Sequence, residues 1–409
     1  MHRLIHDWNT TNPTPIPSRV VLNDETLRDG LQSPSVTTPS IEQKIEILQL
    51  IDALGIESVA LGLPGAGPQV ARDVELLARE IVSAKLSVRP NCPARTTRAD
   101  IEPIAEISQR VGLPIECCTF IGSSPIRRYT EDWSLDRLLA YTEEAIGFAV
   151  GEGLPVMFVT EDTTRADPET LRALYATAIR AGASRVCVAD TVGHATPDGT
   201  RAVVRFVCDV AAECGDGVEV DWHGHRDRDM SVCNSLFALE AGATRVHAAA
   251  LGIGERVGNT PMDLLLVNLV LLGWINRDLG RLSDYCRAVA LACDVEIPTN
   301  YPVMGADAYR TATGVHAAAV IKALHKADPD LADAVYSGVP ARLVGREQTI
   351  DVGPMSGRSN VVFWFERHGV PVTDEAVDRV FAGAKSASRV LSDSEVEALI
   401  AAEPDGQAK

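Results

Sequence analysis

The sequence predicts an α/β protein: a (β/α)₈ barrel of the TIM type followed by a smaller, mostly helical C-terminal region. Three observations carry this. Eight short apolar runs of β type alternate with longer amphipathic segments. Their spacing of roughly 30 residues matches a barrel of about 250 residues. Polar residues recur at the carboxyl end of most runs, whereas an open doubly wound sheet would gather them at one switch point.

The first strand is expected at 20–27, where Val20-Val21-Leu22 delivers Asp24, Glu25, Arg28 and Asp29 to a strand end and Gly30 lets the backbone turn. The others are expected at 58–64, 86–92, 116–122, 155–162, 185–192, 218–225 and 245–252. Between them, segments such as 41–54, 69–85, 136–153 and 229–242 carry apolar residues at helical spacing. Residues 262–274 read as the closing helix, and no ninth β/α unit follows. The expected organisation is a polar tail at 1–18, a catalytic barrel at 19–284, and helical linker and lid subdomains at 285–409.

Of the 409 residues, 46% are hydrophobic and 23% charged, an ordinary globular balance. The net charge of -18 argues against a nucleic-acid or anionic-membrane partner, since phosphate binding needs clustered Lys and Arg. Nine cysteines without a CxxC pair suggest neither a disulfide framework nor a zinc ribbon, and fit a reducing cytoplasm. The longest apolar stretch, 264–275, falls short of the roughly 20 residues that span a bilayer.

His223 and His225 stand two apart in a strand, so both side chains share one face, as two metal ligands would. A bare pair of this kind reads equally well as two hydrogen-bonded histidines. Asp29, two strands away around a closed barrel, shifts the balance: two histidines and a carboxylate suit a divalent Lewis acid. Arg28 suits an oxyanion beside that metal, or a salt bridge to Asp24 or Glu25. Glu161 ends strand five and suits proton transfer, whereas Asp162 reads better as a helix cap. Thr191 offers a hydroxyl to a ligand or to a turn. Gly252, Gly254, Glu255 and Asn259 lie in a glycine-rich turn after strand eight, a common phosphate-binding position. Ser124 and Arg128, after strand four, offer a hydroxyl and a cation.

Together, the stretch 24–32, Ala189-Asp190-Thr191-Val192-Gly193, His223-Gly224-His225, the turn 252–256 and Thr313-Gly314-Val315-His316 resemble the 2-isopropylmalate synthase and homocitrate synthase family. This is the Claisen-condensing branch of the metallolyase barrels, and the likeness runs from Arg19 to Val361. It implies acetyl-CoA as co-substrate, a 2-oxo acid as acceptor, and a divalent metal (Mg²⁺, Mn²⁺ or Zn²⁺) on Asp29, His223 and His225. It places Arg28 on the developing oxyanion, Glu161 and His316 as the acid/base pair, Tyr336 in support and Gln32 near the keto acid. It further implies a homodimer in which the His316 segment completes the partner's site.

Leu251 and Arg128 resemble the homocitrate type, with Arg128 holding a second acidic group of the acceptor, of the 2-oxoglutarate kind. Leu31 stands where condensing members usually have glutamate, Ala60 where homocitrate synthases have a pocket glutamate, and Met157 where some have arginine. Oxaloacetate or phosphonopyruvate therefore also qualify as acceptors. A 2-isopropylmalate or citramalate type, with an apolar pocket, is the alternative. An aldolase like HMG-CoA lyase would explain Leu31 but calls for a cysteine after strand eight, and 251–259 has none.

Overall fold

The computed structural model describes residues 4–10, 15–326 and 328–402, so the expected tail at 1–18 and the end of the C-terminal region lie partly outside the described residues. The chain divides into two compact units, Asn9–Glu296 and a second formed by Ile297–Lys409 with Met1–Trp8.

In the first unit, β1 (Val21–Asp24), β2 (Ser58–Ala60), β3 (Arg89–Arg95), β4 (Glu116–Gly122), β5 (Val156–Glu161), β6 (Arg185–Asp190), β7 (Glu219–Gly224) and β8 (Arg245–Ala248) close a barrel in chain order. Neighbouring strands are parallel, and β1 pairs with both β2 and β8. The eight predicted runs and the (β/α)₈ class are thus present. Most strands stop short of their predicted carboxyl ends. At β1 this is because the Arg28 and Gly30 amides turn back onto the Glu25 carbonyl, at 3.1 and 2.9 Å, and end the ladder. β3 is displaced most, running at Arg89–Arg95 with Pro90 and Pro93 inside it rather than at 86–92.

Each crossover is helical, and local chemistry sets the ends. Ser40 and Gln43 form a reciprocal capping box that starts the helix Ile41–Ala53. The strand residues facing these helices, such as Val186, Val188, Val220, Trp222 and Val246, are buried and apolar. Their alternate neighbours point inward, and here the barrel is polar: Glu219, Asp221 and His223 on β7, and Arg245 and His247 on β8. The helix Leu282–Cys293, through which the predicted boundary at 284/285 runs, lies wholly in this unit. Its buried Tyr285 donates to Asp24 and lies 3.0 Å from the Thr26 hydroxyl.

The second unit is mostly helical. The helix Gly314–His325 packs Ala317, Val320 and Ile321 against Ile350. Arg358–His368, Asp374–Ser386 and Asp393–Ala401 share a core of Val361, Phe365, Val377, Val380 and Val396. Two short strands, Arg310–Thr311 and Thr349–Ile350, pair in parallel. Among the described residues, no helix is long and apolar enough to cross a membrane.

Candidate active site

The carboxyl ends of the strands surround a cavity of about 420 Å³. Asp29, His223 and His225 meet at its wall. The Nε2 atoms of the two histidines are 3.2 Å apart, and Asp29 Oδ2 lies 3.5 and 3.7 Å from them. The pleat brings this about, since His223 and His225 stand at alternate positions at the end of β7, while β8 alone separates β7 from β1. Burial, then the neighbouring His225, lowers the His223 pKa to about 3, and burial lowers His225 as well. Burial raises Asp29, but Arg28 and the two histidines outweigh it and hold the carboxyl well below its usual range. Neutral imidazoles beside an ionised carboxylate are the protonation states a divalent ion requires. Asp29 Oδ1 and Asn259 Oδ1 are buried without a hydrogen-bond partner, two unclaimed oxygens beside this set. The donor set therefore fits a divalent metal.

Arg28 donates to Glu25 Oε2 through Nε at 2.8 Å and Nη2 at 2.7 Å, and its Nη1 lies 3.1 Å from Asp29 Oδ2. Of the two predicted partners, Glu25 is the one engaged. Glu161 also lines the cavity, 3.8 Å from Arg127, and burial raises its pKa. Gln32 and Thr191 line it too, although the Thr191 hydroxyl already accepts from the Asp162 amide at 2.8 Å. Asp162 caps no helix through its side chain; its carboxylate takes Arg165 in a two-pronged ion pair instead.

Two predicted substrate residues are absent from the cavity wall. Ser124 caps the short helix Pro125–Thr130 by accepting from the Arg127 amide. Arg128 turns to Thr170, donating to its hydroxyl at 3.0 Å. The turn after β8 is tight: Gly258 has φ +101°, and a Cβ there would sit 1.8 Å from the Gly252 carbonyl oxygen. Gly254 has φ +151°, with Asn259 beside it, so Asn259 packs into the ligand cluster, while Glu255 and Arg256 line the cavity rim. His316 and Tyr336 belong to the second unit, where their rings meet at a tilt of 31° with centroids 4.3 Å apart.

Sequence reasoning missed the polar interior beneath the ligands. His247 Nε2 lies 3.0 Å from Asp221 and its Nδ1 3.1 Å from Glu25. Asp221 also accepts from Arg245 at 2.5 Å and Arg185 at 2.7 Å. The signal was available in the alternation Glu219, Asp221, His223, which puts all three on the inner face. Around the rest of the cavity, strands β3 to β6 contribute a mostly apolar lining, Pro93, Phe120, Met157 and Val159 with Leu63, Cys118 and Cys187, broken by Asn91 and Glu161.

Asp24 carries a pH prediction. Burial pushes its pKa up to about 6, against hydrogen bonds from Tyr285 and Thr26 that lower it. Folding favours its protonated form, so this contribution to stability is full below the ordinary value of 3.8 and lost as the pH rises through about 6. Asp24→Asn should therefore gain on the wild type between pH 4 and 7, by on the order of 3 kcal/mol in denaturant unfolding. A gap independent of pH would refute the assignment.

Comparison with known proteins places the chain. The HMGL-like family model matches residues 19–289. A homocitrate synthase AksA of Methanopyrus kandleri is 33% identical over 392 residues, 94% of this chain and 92% of that protein. A probable 2-isopropylmalate synthase of the same organism is 32% identical over 374 residues, 90% of this chain and 70% of that protein. Among solved structures, an HMG-CoA lyase from Bacillus subtilis superposes with a TM-score of 0.59 at 19% identity, covering 70% of this chain and 97% of that one, a likeness of fold. The matched stretch contains the whole barrel with Asp29, His223 and His225: this chain belongs to the HMGL-like family.

Proposed function

We propose that the barrel condenses acetyl-CoA with a 2-oxo acid, with a divalent metal held by Asp29, His223 and His225. The observation that carries this is the convergence of these three side chains, with an unpartnered Asp29 oxygen, on a cavity large enough for a small acid. When bound, the metal supplies Lewis acidity to the acceptor's ketone. Arg28, anchored by Glu25, presents its remaining N–H groups toward the cavity, where an enolate oxygen would develop charge. Glu161, whose pKa burial raises, suits holding and passing a proton. The turn holding Gly252, Gly254 and Glu255 is proposed to meet CoA. Asn259, read from sequence as part of a phosphate-binding turn, is better placed to support the metal ligands. His316 and Tyr336 are proposed to serve the acid/base step of a partner subunit's site in a homodimer, and their ring contact supports a joint role.

For the acceptor, the wall of Leu63, Phe120, Met157 and Val159 favours a short apolar side chain, and Arg128, bonded to Thr170, leaves the expected second anion without its anchor. A homocitrate-type acceptor with a second acidic group is the other reading, favoured by the relatives called homocitrate synthase and by Arg256 on the rim. Thiol release from acetyl-CoA with Mg²⁺, Mn²⁺ or Zn²⁺ separates them across 2-oxoisovalerate, pyruvate, 2-oxoglutarate, oxaloacetate and phosphonopyruvate. Preference for the first two, insensitive to Arg128→Ala, is expected. Preference for a dianion, lost with Arg128→Ala, reverses the acceptor assignment, and no release with any acceptor ends the synthase reading.

A further inference from the structure

Glu25 is saturated with donors. Its Oε1 receives Asn23 Nδ2 at 2.8 Å and faces His247 Nδ1 at 3.1 Å, while its Oε2 receives both Nε and Nη2 of Arg28. A carboxylate has about four lone-pair sites, so none is left over for an ion. Glu25, His223 and His247 could by spacing hold a metal. The hydrogen bonds argue instead that Glu25 serves Arg28.

Behind it the chain of contacts continues through the barrel. His247 sits between two carboxylates, Glu25 and Asp221. Asp221 is paired with Arg185 and Arg245, Arg185 also with Glu219, and Glu219 with Arg19. Ion pairs and hydrogen bonds thus run from Arg19, before β1, through His247 between its two carboxylates, to Asp29 at the cavity. All members between Asp221 and Asp29 are largely buried, where weak screening makes such pairs directional and stiff.

We propose that Glu25, held in place by His247, is a positioning residue that locks the Nε/Nη2 edge of the Arg28 guanidinium and so aims its Nη1 end toward Asp29 and the cavity. This rests on the condensing reading above, in which Arg28 meets the developing oxyanion. Glu25 touches neither substrate nor the reacting atoms; its effect passes through Arg28. It therefore acts on the transition state more than on substrate binding, and its loss shows in kcat rather than KM.

The test is a double-mutant cycle on thiol release, with Glu25→Gln, Glu25→Ala and His247→Gln each made alone and in an Arg28→Lys background. Mn²⁺ titration of the metal-free protein by electron paramagnetic resonance runs alongside. The Glu25 variants should lose roughly 10- to 100-fold in kcat, with His247→Gln losing less. The KM for the acceptor and the Mn²⁺ affinity should stay within about two-fold, and the Glu25 losses should shrink to about two-fold in the Arg28→Lys background. Equal losses in both backgrounds, a loss carried by KM or by Mn²⁺ affinity, or an unchanged kcat overturns the proposal. Glu25→Gln preserves shape, so it decides the matter if Glu25→Ala fails to fold. A wild type that releases no thiol with any acceptor removes the condensing reading and this proposal with it. Wild-type activity with an unaffected Glu25→Gln removes the proposal alone.

Discussion

His223→Ala is expected to abolish metal-dependent activity while leaving a folded barrel. His223 is one of two neutral imidazoles whose Nε2 atoms approach to 3.2 Å with Asp29 alongside. Removing it leaves one nitrogen and one carboxylate, too few to fix an ion against water. Thiol release should fall by on the order of 10³-fold, the scale of losing Lewis-acid stabilisation worth several kcal/mol. Without metal the substitution costs little, because the missing ring was uncharged and relieves the crowding of His225. The readout independent of activity is thermal stability. Wild-type Tm should rise with added Mn²⁺ or Zn²⁺ as binding to the folded state demands, and the variant's should not. A variant whose melting still responds to metal as the wild type does would remove His223 from the ligand set.

The second large effect concerns stability. Asp221 is fully buried and receives Arg185, Arg245 and His247. Burial raises its pKa, but Arg245 and Arg185 outweigh that and hold it well below the carboxylate range. Asp221→Ala strands two guanidinium groups in the barrel, and removing one partner of a buried ion network typically costs about 3–5 kcal/mol. In a chain of this size, that is a fall in Tm of roughly 5 °C. Arg19→Ala, at the half-exposed end of the same chain of contacts, should cost less than about 1 kcal/mol. A Tm unmoved by Asp221→Ala would show that water or a rearrangement compensates the buried arginines.

Much of the barrel was legible because strands and helices announce themselves by period. Strand ends were less so. β3 lies three residues beyond its apolar run, and the turn of Arg28 and Gly30 onto Glu25 shortens β1. The ligand cluster was legible because two alternate residues on one strand must share a face. Arg128 donates to Thr170 and does not line the cavity, because helix geometry, not sequence distance from β4, decides which way a side chain turns.

The sequence by itself determined the eightfold alternation, the family and the three metal-ligand candidates, since each follows from local spacing or from motifs short enough to read along the chain. Only the tertiary structure decided that Glu25, His247, Asp221 and Arg245 form one buried chain of contacts behind Arg28, and that the rest of the cavity lining is mostly apolar. Those facts depend on closure of the barrel, which brings β1, β7 and β8 side by side and makes neighbours of residues some 200 positions apart in the chain, such as Asp29 and His223.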